Sequence, residues 1–434
     1  VVLFLYAPRA SAQEPVLTLA EAVRLAVQGN RNLQIARLDV RRSQELAGAT
    51  RAQMWPSVDV TVQRSQILKP LEFPIRQGAL GTYPGVGPIP GQDTLLASVS
   101  GGNTRYSVGV SQTVVGLYKL GLAAEVQDRE AEAARQGARS RASDLAGQVR
   151  GLYYTLLDTQ NALVAARESL AFHQEFERLV AEYVAQGTGL PADLLEVQTA
   201  LARDRQTVLA LENGLRSQRE QMNFLLGRSL DTPFRVVEPE VAPAPGQELS
   251  ELLQEALSRR PEVLAAEVRL QQARTARELA RSDYLPDVGL RLSYERQSNS
   301  GLLPPDLWML TVQAQYDLLD GGRRDHQIAE KDLALEQAAR NLEEARAQVE
   351  LELRAQLRRL ADLAQAVEAA RLARQAAEEK LRVALARYQM NTALGREVLE
   401  AQAGLAQAQR DYQKTLLDQA AARDELDRIL GRDP

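Results

Sequence analysis

Cysteine is absent from this chain of 434 residues. Its absence excludes disulfides, thiolate metal sites, thiol nucleophiles and a lipidated N-terminal cysteine of the kind that anchors exported envelope proteins. Histidine is nearly absent. His173 and His326 each stand alone on a helical stretch, without the paired spacing of a zinc-binding helix. There is no Gly-rich phosphate loop and no G-x-S-x-G, so nothing points to an enzyme, a cofactor or a metal. Aromatics make up only 5%, low for a globular core, while Ala, Leu, Arg, Glu and Gln dominate, a mixture that reads as long helices or coiled coil. Charge of one sign is also missing. The 52 basic and 57 acidic residues are interspersed and net to −5, so no basic stripe exists to meet nucleic acid. No apolar run approaches the roughly 20 residues of a membrane-spanning helix, so any membrane crossing must be made by a β-barrel.

The start of the chain is informative. Val1-Val2-Leu3-Phe4-Leu5-Tyr6-Ala7 is apolar and is followed by the small-x-small run Ala10-Ser11-Ala12. Residues 1–12 therefore read as the remnant of a secretory signal peptide, with cleavage expected after Ala12.

The rest of the chain is one unit written twice. Leu19-Ala20-Glu21-Ala22-Val23 aligns with Leu249-Ser250-Glu251-Leu252-Leu253, and the register holds to Trp55-Pro56-Ser57-Val58 against Leu285-Pro286-Asp287-Val288. A second ungapped stretch pairs Ser107-Val108 with Thr311-Val312 and runs on to Leu226-Gly227-Arg228 against Leu430-Gly431-Arg432. The copies span residues 17–230 and 248–434. The segment 231–247 between them carries Pro233, Pro239, Pro243 and Pro245 and reads as a linker, because proline restricts both its own backbone and the residue before it.

Each copy reads helix, strand, loop, strand, very long helix, helix. The first helix is expected over about 18–54, opened by the Thr18-x-x-Glu21 capping box. Strands are expected at about 57–64, 104–115, 287–296 and 307–318. In them Val58, Val60 and Val62, then Val288, Leu290, Leu292 and Tyr294, then Trp308, Leu310 and Val312 alternate with mostly polar neighbours. About ten residues is the length that crosses a bilayer at a tilt. Tyr106, Tyr294, Trp308 and Tyr316 fall toward strand ends, where a transmembrane barrel carries its aromatic girdle. Asp59 and Arg291 fall on the opposite, wet face. Four strands cannot close a barrel, so the barrel must be shared between copies of the chain. A long loop rich in Gly and Pro is expected over 65–103. The long helices, about 119–186 and 323–390, carry heptads such as Val149, Leu156, Leu163, Leu170 and Ile328, Leu335, Leu342, Val349.

In this order the signal-like start, the doubled unit, Trp55-Pro56, Leu285-Pro286, Asp320-Gly321-Gly322 and the paired long helices resemble the TolC-like outer-membrane efflux family, from about Leu17 to Arg432. The resemblance implies a mostly α fold with a transmembrane β-barrel. Long helical hairpins would build a periplasmic α-barrel, and a homotrimer would pool four strands per chain into a 12-stranded barrel in outer-membrane lipid. It implies passive conduction from periplasm to exterior in a tripartite efflux or type I secretion system. The partners would be a periplasmic adaptor and an inner-membrane pump or ABC exporter. The hairpin tips would be the working end, with Gly187, Thr188, Asp193, Asn391 and Thr392 docking the adaptor, and Tyr388, Glu397 and Glu400 at the periplasmic gate. Asn391 stands where the family has a turn glycine, and Ala393 where its best-known members carry a basic residue. Glu397 and Glu400 also read simply as carboxylates opening a helix, which the helix dipole favours. The competing reading of the whole chain is a soluble or periplasmic coiled-coil scaffold or adaptor. It accounts for the heptads but not for four amphipathic strands recurring at matched points.

Overall fold

The computed structural model describes residues 15–187, 189–239, 248–298, 304–390 and 392–432, so the expected signal remnant lies outside the described residues. In chain order the elements are β1 (Val16–Leu17), α1 (Leu19–Gly29), α2 (Arg31–Ala52), β2 (Ser57–Ile75), β3 (Thr82–Tyr83), β4 (Gly87–Pro88), β5 (Thr94–Thr113), α3 (Gly116–Ala185) and α4 (Pro191–Leu225). They continue with β6 (Arg235–Val236), α5 (Leu249–Arg259), α6 (Pro261–Ser282), β7 (Asp287–Gln297), β8 (Asp306–Gln315), α7 (Arg323–Gln389) and α8 (Gly395–Ile429). The chain forms two compact units. One comprises Val1–Val40, Ala133–Glu267 and Arg340–Pro434; the other comprises Arg41–Glu132 and Val268–Ala339. Each unit draws on both sequence copies, so the boundary between the units is not the boundary between the copies. No helix among the described residues is long and apolar enough to cross a membrane.

The second unit holds an antiparallel sheet of order β2-β5-β7-β8. Val60 pairs with Val108, Val108 with Tyr294 and Tyr294 with Trp308. One face therefore collects Val58, Val60, Val62, Tyr106, Val108, Val110, Leu290, Leu292, Tyr294, Trp308, Leu310 and Val312, because side chains two apart share a face. This face is bare: Val60 and Leu310 are each 70% exposed. The outer sides of the edge strands β2 and β8 have no partner strand among the described residues.

The first two strands run longer than the sequence implied, over 57–75 and 94–113 in place of 57–64 and 104–115, and the expected 65–103 loop shrinks accordingly. Pro70, Pro74 and Gly101-Gly102 read as strand breakers. The prolines are tolerated because β2 is an edge strand, where one side of the backbone needs no hydrogen-bond donor, and because register shifts at Ile67/Leu71 and Phe73/Pro74 absorb the irregularity. The second pair, 287–297 and 306–315, follows the expectation closely, with Tyr316 just beyond β8.

Asp320-Gly321-Gly322 is a corner between sheet and helix. Both glycines have positive φ, +68° and +85°, a region that L side chains avoid. The Asp320 carboxylate accepts from the Gly322 and Arg324 backbone N–H groups and from Arg324 Nε at 2.7 Å. The buried Arg324 guanidinium also donates to the Asp317 and Asp283 carbonyls and lies over the Tyr284 and Tyr316 rings, tying the entry to β7 to the exit from β8.

The first unit is helical, with a core around Val149, Tyr153, Leu156, Met222, Leu226 and Phe234. Thr18 caps α1 as expected, its Oγ1 accepting from Glu21 N at 3.3 Å, while the Glu21 carboxylate turns to Arg24. The single helix expected over 18–54 is instead broken at Asn30, whose backbone is extended. Asn30 is buried. Its Oδ1 accepts from Leu33 N and its Nδ2 donates to Leu225 O at 3.0 Å, so one side chain caps α2 and binds the end of α4. The second copy breaks likewise at Arg260, where the guanidinium pairs with Glu262 and Glu352. Part of the 231–247 linker is ordered as β6, parallel to β1, and the buried Tyr153 hydroxyl sits between the Leu17 and Val237 carbonyls at 2.9 and 2.7 Å. Residues 240–247 lie outside the described residues.

Candidate functional site

The long helices α3 and α7, of 70 and 67 residues, each measure roughly 100 Å at 1.5 Å per residue. Each turns back into a shorter helix of 35 residues, α4 or α8. Gly187 ends α3 with φ +75°, and Gly189 N donates back to Tyr183 O at 2.9 Å, a left-handed cap closing the first turn. At the second tip both the backbone N–H and the hydroxyl of Thr392 donate to Arg387 O at 2.9 Å. Thr188 and Asn391 lie outside the described residues.

The two tips share a small apolar core of Phe176, Val180, Val197, Tyr388 and Val398. The Tyr388 ring meets Phe176 edge-on at 5.3 Å and Tyr183 at 6.1 Å. Asp193, in the first turn of α4, also faces the second hairpin, since a Cβ added to Gly395 would lie 3.4 Å from Asp193 Oδ2. The carboxylate thus serves the N-terminal ends of α4 and α8 at once, where the helix dipoles favour negative charge. Burial, with the Asp193 charge and Tyr183 beside it, holds the Tyr388 hydroxyl above its usual range.

Glu397 and Glu400 stand three residues apart on α8, each beside a different arginine. Glu397 Oε1 reaches back to Leu394 N at 3.4 Å and Oε2 lies 3.7 Å from Arg387 Nη1, so Glu397 caps its helix as the simpler reading implied. Glu400 pairs loosely with Arg396 at 3.6 Å, both largely exposed. Phe172, Phe176 and Arg387 complete the site and were not picked out from the sequence. A signal was there: two of only six phenylalanines stand one helical turn apart, just before the first tip.

The four aromatics expected to form a girdle divide between two levels of the sheet. Tyr294 and Trp308 are paired across strands with rings 4.9 Å apart, and Tyr106 lies diagonally beside them. Tyr316 stands at the other end of β8. Eight residues separate Trp308 from Tyr316, about 26 Å at roughly 3.3 Å per residue, close to the height of the apolar band of a transmembrane barrel.

A sheet with one bare apolar face, open at both outer edges among the described residues, together with helical hairpins of this length, fits the class of outer-membrane channels. The model of the outer membrane efflux protein family matches residues 22–228 and 252–432. The chain therefore belongs to the outer membrane efflux protein family and is an outer-membrane protein reaching into the periplasm. It is 22% identical over 437 residues to the probable efflux pump outer membrane protein TtgC of Pseudomonas putida, covering 95% of this chain and 82% of that one. A shorter match to protein CyaE of Bordetella pertussis, 27% identical over 191 residues, covers 43% of this chain and 40% of that protein. Crystal structures of CusC, described in terms of folding and transmembrane channel formation, share the fold with a TM-score of 0.80 at 17% identity, covering 95% of this chain and 92% of that one. These matches give the coiled-coil scaffold reading no support.

Proposed function

We propose that three copies of this chain join edge to edge into a 12-stranded barrel, and that the assembly conducts substrates passively from periplasm to exterior. A periplasmic adaptor docks on the hairpin tips, and an inner-membrane pump or ABC exporter supplies the energy. The observation that carries this reading is the sheet itself. Its apolar face is uncovered and its two edges, β2 and β8, are unpaired among the described residues. Exposed backbone edges cannot persist in lipid, because each unsatisfied polar group there costs several kcal/mol. Closure through further copies satisfies both edges and turns the apolar face to lipid. The polar face, with Asp59, Thr61, Ser107, Ser111, Arg291 and Thr311, then lines the lumen.

The mouth is closed at the tips. Tyr388 and Asp193 hold the second hairpin against the first, while Glu397 and Glu400 set stacked rings of carboxylates in the trimer that attract cations. Adaptor docking at Gly187, Thr188, Asp193, Asn391 and Thr392 loosens this contact and opens the mouth. The test is the mass of the detergent-extracted protein from an outer-membrane fraction. Native mass spectrometry is expected to give three chains; a single chain, or release without detergent, overturns the proposal.

A further inference from the structure

On the polar face of the sheet, one side chain crosses a whole strand. Arg291 on β7 makes a forked contact with Asp59 on β2, Nη1 to Oδ1 at 3.0 Å and Nη2 to Oδ2 at 2.8 Å, and its Nη1 also donates to Ser111 Oγ on β5 at 2.7 Å. β5 lies between the two partners. The bridge passes directly over Gly109, the β5 residue opposite Asp59. A Cβ there would lie 2.3 Å from Arg291 Nη2 and 3.1 Å from Asp59 Oδ1. Glycine weakens a strand interior, and its presence here marks a close approach. A planar guanidinium meeting a carboxylate with two parallel contacts is the strong geometry for such a pair.

We propose that Asp59 is a selectivity-determining residue of the conduction path: it cancels the Arg291 charge across Gly109, so that the barrel lumen is kept from selecting anions. The inference rests on the shared-barrel reading, in which three copies place three such bridges around the lumen. Arg105, Asp287 and Glu295 share the face, so the bridge acts within a mixed field and does not carry the only charge. Losing one partner of the bridge leaves three uncancelled charges of one sign at one level, within reach of permeating ions at low salt, where screening lengths approach 30 Å near 0.01 M.

The experiment is the reversal potential of the purified full-length channel in a planar bilayer under a low-salt KCl gradient. Glu397 and Glu400 are left in place in every variant. Asp59→Asn is expected to shift the potential toward anion preference and Arg291→Gln toward cation preference. Carrying both substitutions returns it close to the unaltered channel, which also separates charge from misassembly. Single variants that leave the potential unmoved, or that shift it in the same direction, overturn this inference while the channel reading stands. Where the closed tips block the parent, the same potentials are read with the tip contact loosened by Tyr388→Ala; a protein that conducts in neither form overturns the channel reading and this inference with it.

Discussion

At the scale of single residues, one carboxylate at the tips closes the start of its helix and lies beside a cation. Glu397 reads from the sequence as a helix-opening acid and, by resemblance, as a gate residue; the first reading has its contact, through Leu394 N. Its nearness to Arg387 was not legible, because Arg387 lies on α7 and Glu397 on α8, so helical spacing does not decide whether their side chains meet. The juxtaposition of Tyr388 with Asp193 was hidden for a stronger reason. The two residues stand in different sequence copies, and only tertiary packing around Phe176 and Val398 brings them together. If the carboxylates ring the mouth, Glu397→Ala with Glu400→Ala should weaken the cation preference of the channel in a planar bilayer several-fold. An unchanged permeability ratio would remove them from the gate and leave only the capping role. A first-turn carboxylate alone is worth about 0.3–1 kcal/mol, which thermal melting of the same variant would register.

At the scale of elements, the repeated Leu-Gly-Arg endings acquire a physical meaning. Leu226 and Leu430 are buried, and Gly227 and Gly431 follow in the left-handed conformation, φ +71° and +67°. Each glycine presses on the helix break of its own copy. A Cβ on Gly227 would lie 2.1 Å from Gly29 O, and one on Gly431 would lie 2.9 Å from the Arg259 side chain. Gly227→Ala combines backbone strain with a collision against backbone that cannot yield, so it should cost at least about 2 kcal/mol. A loss of melting temperature no greater than that of an ordinary surface substitution would contradict the close-approach account. The arginines that follow diverge. Arg228 donates to Asn223 and lies over Phe234, whereas Arg432 pairs with Glu255 and Asp427.

That second arrangement makes a pH prediction. The Arg432 guanidinium holds the Glu255 carboxyl below its ordinary value of 4.5, with Arg259 adding to the effect. A carboxyl whose folded pKa lies below its unfolded pKa contributes stability above the unfolded value and loses it as pH falls through the folded one. The contribution is complete at neutral pH and fades below about pH 4.5. Glu255→Gln should therefore lower the melting temperature at pH 7 but cost progressively less in acid. A cost independent of pH would show that the pair contributes only packing.

At the scale of the whole molecule, the fold class was legible because helical heptads and period-two strands are one-dimensional signals that survive any tertiary arrangement. The heptad residues Val149, Leu156 and Leu163 are indeed buried along α3. Less legible were features set by neighbours. The helix break at Asn30 follows from a contact with Leu225, and the extension of β2 and β5 past Pro70 and Gly101 depends on each strand having the other as its template. The compact units could not be read from the repeat, because each is assembled from both copies.

The central claim, closure of the barrel between chains through β8 and β2, can be tested directly because the chain contains no cysteine to interfere. Within one chain these strands lie at opposite edges of the sheet, three strand spacings or about 14 Å apart, too far for a disulfide, which needs Cα atoms within about 7 Å. Thr61→Cys would be combined in turn with Met309→Cys, Thr311→Cys or Gln313→Cys, and the protein oxidised in outer membranes and separated without reductant. At least one register is predicted to give a covalent ladder ending at three chains. Monomer alone across the whole scan would contradict closure by edge pairing.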